Sequence, residues 1–178
     1  MSVVSGLEVF VFRAFQLLKR LRINRLFLLR VPSYPFLDYF RGFENFEVAK
    51  RIFGEKTEEV LSNLKVEFAS LSGYMGVNPF NGHLIVNPRY LKSGDKLDIY
   101  LDLVHELVHI RQFIEGTELF DANYGYVERP TEIEAYRYAV EESRRLGKSD
   151  ERICEYLKTE WMSDDDLRQL AKVLNVEC

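Results

Sequence analysis

The chain has 178 residues, of which 47% are hydrophobic, so it is about one domain long and can bury a real core. This composition excludes intrinsic disorder of the whole chain. A formal net charge of −4 excludes a chain-wide basic field that would recruit nucleic acid. The charge is nevertheless uneven, because residues 1–31 carry +5 and the remaining 147 residues carry −9.

The cysteine content indicates a reducing environment. Cys154 and Cys178 are the only two cysteines, and their spacing fits neither a disulfide framework nor a cysteine-based metal site. We therefore expect Cys154 to be buried as a small apolar residue and the protein to be cytoplasmic. The sequence has no secretory-signal pattern, and no apolar stretch approaches the roughly 20 residues of a membrane span.

Residues 1–31 are predicted to form one long, basic, amphipathic helical appendage. Three uses of such a helix remain open: packing against its own domain, contact of residues 7–30 with an anionic membrane surface or a partner, and, least favoured, nucleic-acid binding. The apolar residues recur at helical spacing and are Leu7, Phe10, Val11, Ala14, Leu17, Leu18, Leu21 and Leu28.

Residues 32–56 are predicted to be a linker followed by a short helix. Pro32 and Pro35 end the basic helix, because each removes a backbone donor and biases the preceding residue away from helical angles. The segment Glu44–Phe53 has a helical pattern that ends at Gly54.

Residues 57–146 are predicted to form the core of the domain. A helix starts near Thr57, and the pattern then changes to short segments rich in Val, Ile, Phe and Tyr. The simplest interpretation is a three-stranded antiparallel sheet with a tight turn at Asn81-Gly82. The predicted strands are residues 65–71, 74–78 and 83–87.

Two long helices follow, so the predicted fold class is α+β with the sheet packed on both. Asp95 to Ile114 is the clearest helix, and a second runs from Glu132 to Leu146 after a loop of about 14 residues. Residues 147–178 are predicted to be a helical extension with helices near 149–159 and 164–174.

The first long helix contains a His-Glu-x-x-His motif made of His105, Glu106 and His109. Residues four apart leave a helix on the same face, so both imidazoles can bind one cation. Glu106 then stands beside the metal and can take a proton from a water that the metal activates. The alternative is an ordinary solvated patch, which the apolar neighbours Leu107 and Val108 disfavour because they place the helix in a core.

A catalytic zinc needs a third protein ligand and one open position. The carboxylates Glu132 and Glu134 open the next long helix, and His83 is a third possibility on a strand. Thr131 and Glu134 match a capping box, which would occupy Glu134 and leave Glu132 free. Glu132 also shares a helix face with the small residue Ala135, so Glu132 is favoured over Glu134.

His105-Glu106-x-x-His109, followed 23 positions later by Glu132-x-x-Ala135, resembles the motifs of the gluzincin zinc metallopeptidases. The short strands and the absence of large inserts look most like the minimal soluble gluzincins. The resemblance implies zinc held by His105, His109 and Glu132, with Glu106 as the general base and then the proton donor to the leaving amine. It implies a peptide or protein as substrate.

The resemblance covers residues 57–146 and has further implications. One departure is Tyr136, which stands where membrane-embedded relatives usually have an aspartate. The family implies an edge strand that pairs with the substrate backbone, and residues 83–87 are the expected strand. It also implies an oxyanion-stabilising residue, which the sequence leaves open among Tyr124, Tyr126, His83, Arg111 and Arg129.

Two hypotheses of function follow from these residues. The first is a zinc-dependent metallopeptidase, with residues 147–178 limiting access to its cleft and Cys178 as a further possible zinc ligand. The second is a latent or non-catalytic zinc-binding regulatory module whose basic helix contacts a membrane surface or a partner.

Overall fold

A computed structural model of the chain describes residues 32–70 and 73–178, so the predicted basic helix lies outside the described residues. This part of the protein is α+β. Its strands are β1 (Ser33–Pro35), β2 (Lys65–Phe68), β3 (Met75–Val77) and β4 (Leu84–Val86). Its helices are α1 (Phe36–Tyr39), α2 (Glu47–Phe53), α3 (Thr57–Asn63), α4 (Pro88–Ser93), α5 (Lys96–Ile114), α6 (Pro130–Arg145), α7 (Asp150–Leu157) and α8 (Asp164–Leu174).

The predicted three-stranded antiparallel sheet is wrong, because the described strands form one four-stranded mixed sheet in the order β1-β2-β4-β3. β2 pairs with β4 in parallel, whereas β1–β2 and β3–β4 are antiparallel. β1 comes from the segment predicted to be a linker, and its Pro35 is tolerated because β1 lies at a sheet edge. The predicted turn between β3 and β4 is confirmed, with Gly82 at a φ of 70°.

Because β4 lies between β2 and β3, the strand that could pair with a substrate backbone is not the one predicted. Residues 83–87 were expected to form the edge strand, but β4 has a neighbour on each side. Within the described residues the edges of the sheet are β1 and β3. β3 is the edge that packs against α5.

Helix α5 starts and ends almost as predicted. Asp95 is its N-cap and accepts hydrogen bonds from the backbone N–H groups of Leu97 and Asp98. Gly116 follows the helix with a φ of 78°, which a glycine adopts without strain. Among the described residues no helix is long and apolar enough to cross a membrane.

Two hydrophobic cores meet at α5. The first lies between one face of the sheet and helices α2, α3 and α5, and buries alternate strand residues such as Leu84 and Val86. The second joins α5 and α6 to the C-terminal helices, and includes Tyr136, Ile153 and Leu170. The C-terminal extension is therefore an integral part of a core that also contains α6.

The two cysteines do not behave as expected. Cys154, on α7, and Cys178 form a disulfide, with their Cα atoms 5.4 Å apart. The expectations that the cysteines form no disulfide and that Cys154 is simply a small buried apolar residue are wrong, because α8 runs back beside α7 and returns the last residue to it. Cys178 is consequently not free to bind a metal.

Candidate metal centre

Three predicted ligands come together where α5 and α6 pack against each other. The Nε2 atoms of His105 and His109 lie 3.0 Å apart. Oε2 of Glu132 lies 3.3 Å from Nε2 of His105 and 3.4 Å from Nε2 of His109. One ligand atom from each residue lies within 4.8 Å of the others, so a single cation can contact all three.

The local sequence explains how Glu132 reaches the two histidines. Pro130 occupies the first position of α6, where its missing N–H and fixed φ cost nothing. Glu132 therefore stands in the first turn, where the helix dipole favours a carboxylate. Ala135 and Ala139 are fully buried, and their small side chains let α6 approach α5 closely.

The capping box that favoured Glu132 does not exist. The hydroxyl of Thr131 donates to the carbonyl of Leu119 at 3.3 Å, and α6 has no side-chain cap. Glu134 instead accepts from Nε2 of Gln112 at 2.8 Å and forms an ion pair with Arg111 at 2.7 Å. The helix begins at Pro130, two residues earlier than predicted. Glu132 and Glu134 therefore each lie two positions further from its N-terminus than expected.

His83, the third possibility, lies in a different part of the fold. Its Nδ1 is 2.6 Å from Oε1 of Glu67 on β2. The same carboxylate accepts hydrogen bonds from Asn78 and Asn81 and so holds the turn between β3 and β4. His83 is thus a part of that turn.

The predicted general base, Glu106, is also buried at the cluster. Burial raises the pKa of its carboxyl to about 8, and the charges of Glu132 and Asp102 act in the same direction. A group with a pKa near neutrality can both accept and return a proton. Its environment therefore suits the role predicted from the motif.

The electrostatics of the three ligand residues are mutually dependent. Burial opposes protonation of His109, but the Glu132 carboxylate outweighs it and raises the pKa of His109 to about 9. Burial also works against the charge on Glu132, yet His109 and His105 hold its pKa well below the usual range. For His105, burial dominates and lowers its pKa. The negative charge of Glu132 is thus stabilised mainly by the protonated ring of His109, because burial favours the neutral form of His105.

The donor set fits a transition metal. Oε2 of Glu132 is buried, and its contacts with the Nε2 atoms of the two histidines, at 3.3 and 3.4 Å, lack hydrogen-bond geometry. Two imidazole nitrogens and one carboxylate oxygen suit zinc better than magnesium or calcium, which prefer oxygen ligands. A cation at this point would satisfy the orphaned oxygen and both nitrogens.

The environments of the two histidines differ. Nδ1 of His109 is 2.8 Å from Oε1 of Gln112, which lies three residues further along α5. Residues three apart share a helix face, so this spacing is the feature of the sequence that could have indicated the contact. His105 instead packs against the ring of Tyr136, with ring centroids 4.4 Å apart, and the Tyr136 hydroxyl bonds to that of Tyr126 at 2.9 Å.

Of the five residues considered for oxyanion stabilisation, two lie beside the cluster. Arg129 is 3.6 Å from Oε1 of Glu132, and the charge of Glu132 helps burial to raise the pKa of Tyr126. Arg111 pairs with Glu134, and Tyr124 is exposed in the loop that precedes α6. Of the five residues, Arg129 and Tyr126 are therefore the two that lie near Glu132.

No family model, curated protein or solved structure matches this chain. The resemblance to gluzincins consequently depends on the motif residues. A cluster of two histidines and one glutamate does not by itself establish membership of that family.

Proposed function

We propose that the protein is a zinc-dependent metallopeptidase of gluzincin type. The observation that carries the proposal is the convergence of His105, His109 and Glu132 within 4.8 Å, with Glu106 buried beside them. Two independent helices supply these residues. A surface coincidence of the motif would not bury four polar side chains together at the junction of two cores.

In this proposal His105, His109 and Glu132 hold the metal. When bound, zinc supplies a Lewis acid that polarises the scissile carbonyl and lowers the pKa of a water molecule. Glu106 accepts the proton of the attacking water and then donates it to the leaving amine. The buried position of Glu106 supports both steps, because burial makes its carboxyl more basic.

The proposed substrate is a peptide or a protein. An extended substrate can add a strand to an exposed sheet edge through its main-chain groups. We assign this role to β3, because it is the sheet edge that packs against the metal helix α5. This replaces the assignment to residues 83–87.

A second function is favoured by the depth of the site. His105, Glu106, His109 and Glu132 are each no more than 9% exposed. Such burial also suits a latent enzyme, or a regulatory module in which the metal holds α5 and α6 together. In this alternative the protein binds the metal but does not catalyse hydrolysis.

Contact of residues 7–30 with a membrane surface or a partner stays a prediction, and nucleic acid remains the least favoured partner. The predicted cytoplasmic location also stays a prediction. The Cys154–Cys178 disulfide argues against it, because such bonds persist mainly in oxidising compartments.

The deciding experiment combines metal analysis with a cleavage assay on an unstructured protein. The wild type should contain about one zinc per chain and cleave the substrate, and Glu106→Gln should keep the zinc and lose cleavage, because it changes the base without removing a ligand. Glu115→Gln is the matched control, since Glu115 follows the same helix and is exposed.

Each result separates the two functions. Zinc without any cleavage by the wild type would favour the non-catalytic module. A wild type that binds no transition metal would contradict both proposals.

A further inference from the structure

The side-chain amide of Gln112 bridges the two helices that carry the metal ligands. Its Oε1 is 2.8 Å from Nδ1 of His109 on α5. Its Nε2 donates to the carbonyl oxygen of Thr131 at 3.1 Å and to Oε2 of Glu134 at 2.8 Å, both on α6. Gln112 is only 2% exposed, so this amide has no access to solvent as a substitute partner.

The bond to His109 determines which ring nitrogen can bind a metal. An amide oxygen can only accept, so Nδ1 of His109 must be the donor. The lone pair of the neutral ring is then on Nε2, the atom that faces Glu132 and His105. Gln112 thus sets both the tautomer and the ring orientation that a metal ligand needs.

The other end of the amide fixes the first turn of α6. Thr131, whose carbonyl accepts from Gln112, immediately precedes Glu132 in the chain. Glu134 accepts from the same amide nitrogen and is itself held by Arg111. The amide therefore restrains the backbone beside one ligand while it orients the ring of another.

We propose that Gln112 is a positioning residue that holds His109 and Glu132 in register for one metal ion, with Glu134 as its anchor. This inference rests on the proposed metal site. It also assigns a role to Glu134, which the sequence offered as an alternative to Glu132 for the third ligand. Glu134 holds Gln112 in place and does not bind the metal itself. The role of Gln112 also explains why a polar amide occupies a buried position where an apolar side chain of similar size would otherwise pack.

The test measures zinc affinity by competition with a chromophoric chelator, together with the absorption spectrum of the cobalt-substituted protein. Gln112→Leu should weaken zinc binding by about 10- to 100-fold, the usual effect of losing an outer hydrogen-bond partner of a ligand. The cobalt spectrum should change, because the ring of His109 loses its fixed orientation. Gln169→Leu is the matched control, since Gln169 bonds to Glu128 at an exposed position.

A reciprocal exchange separates positioning from packing. Gln112→Glu keeps an oxygen for His109 but loses both amide donations and faces the Glu134 carboxylate. Adding Glu134→Gln reverses donor and acceptor and restores that hydrogen bond. The double variant should therefore recover both zinc affinity and the cobalt spectrum relative to Gln112→Glu alone. A merely structural role predicts recovery of the free energy of unfolding without recovery of the cobalt spectrum.

The outcomes are distinguishable from those of the proposed function. A wild type that binds zinc, with a folded Gln112→Leu variant that binds it equally tightly, overturns this inference and leaves the metal site standing. If Gln112→Leu fails to fold, Glu134→Ala decides, because that side chain is 41% exposed. Unchanged affinity in Glu134→Ala, together with no recovery in the double variant, overturns the inference. A wild type without zinc overturns both.

Discussion

The two histidines of the motif lie one helical turn apart, yet opposite kinds of contact hold them. His109 is bound by a hydrogen bond from Nδ1 to Gln112, which continues to the first turn of α6. Nδ1 of His105 is buried and has no hydrogen-bond partner among the described residues. His105 is held by the ring of Tyr136, which belongs to the second core.

The difference shows that the site depends on a polar bridge between α5 and α6 at one histidine and on the second core at the other. A hydrogen bond fixes a tautomer and an angle, whereas an aromatic contact restricts position without selecting either ring nitrogen. The orientation of the His109 ring is thus determined by hydrogen bonds through Gln112. The position of the His105 ring is determined by the packing of α6 against the C-terminal helices. Substitutions at each contact can separate the effect of the hydrogen bond to His109 from the effect of the aromatic packing against His105.

The largest expected effect comes from the one ligand that both histidines share. Glu132→Ala should weaken zinc binding by more than about 100-fold, because it removes a direct ligand rather than an outer-shell contact. Glu134→Ala should weaken it less, by the 10- to 100-fold expected when an outer hydrogen-bond partner is lost. Glu141→Ala, at an exposed position of the same helix, is the matched control and should leave zinc affinity unchanged. Equilibrium dialysis followed by metal analysis distinguishes them. Loss of zinc from Glu134→Ala alone would show that the other carboxylate is the ligand.

The next largest effect is expected in the stability of the second core, which packs against His105 through Tyr136. Cys178→Ser should lower the free energy of unfolding by about 3 kcal/mol, because the disulfide closes a loop of 24 residues. Zinc affinity of the folded protein should stay unchanged, since neither cysteine touches the ligands. Chemical denaturation measures the first quantity. A reductant should lower the free energy of unfolding of the wild type to that of the variant. If the reductant does not change the free energy of unfolding of the wild type, the disulfide does not form.

The smallest effect tests whether packing alone holds His105. Tyr136→Phe should cost about 1 kcal/mol of stability, because it removes only the hydrogen bond to Tyr126. Zinc affinity should remain within roughly 3-fold of the wild type, below the loss expected when an outer-shell partner of a ligand is removed. Thermal unfolding and chelator competition measure the two effects. A loss of affinity as large as that expected for Gln112→Leu would show that the Tyr136 hydroxyl orients His105, and the contrast between the histidines would fail.

Local patterns in the sequence determined the elements that carry the chemistry. The period of apolar residues predicted α5, and the spacing of His105 and His109 put both on one face of it. The bounds of α8 are also those predicted, because an acidic first turn after Ser163 forms a capping box. These features depend on residues within one or two helical turns.

The tertiary structure decided what depends on distant pairing. Strand order is one example, because nothing local distinguishes a β4 that pairs with β3 alone from one inserted between β2 and β3. The Cys154–Cys178 bond is another, since it depends on α8 returning the chain to α7. The choice between Glu132 and Glu134 was argued from a cap that does not form, and the packing of α6 on α5 placed Glu132 at the histidines. Short-range spacing determines which residues can act, and long-range packing determines which of them meet.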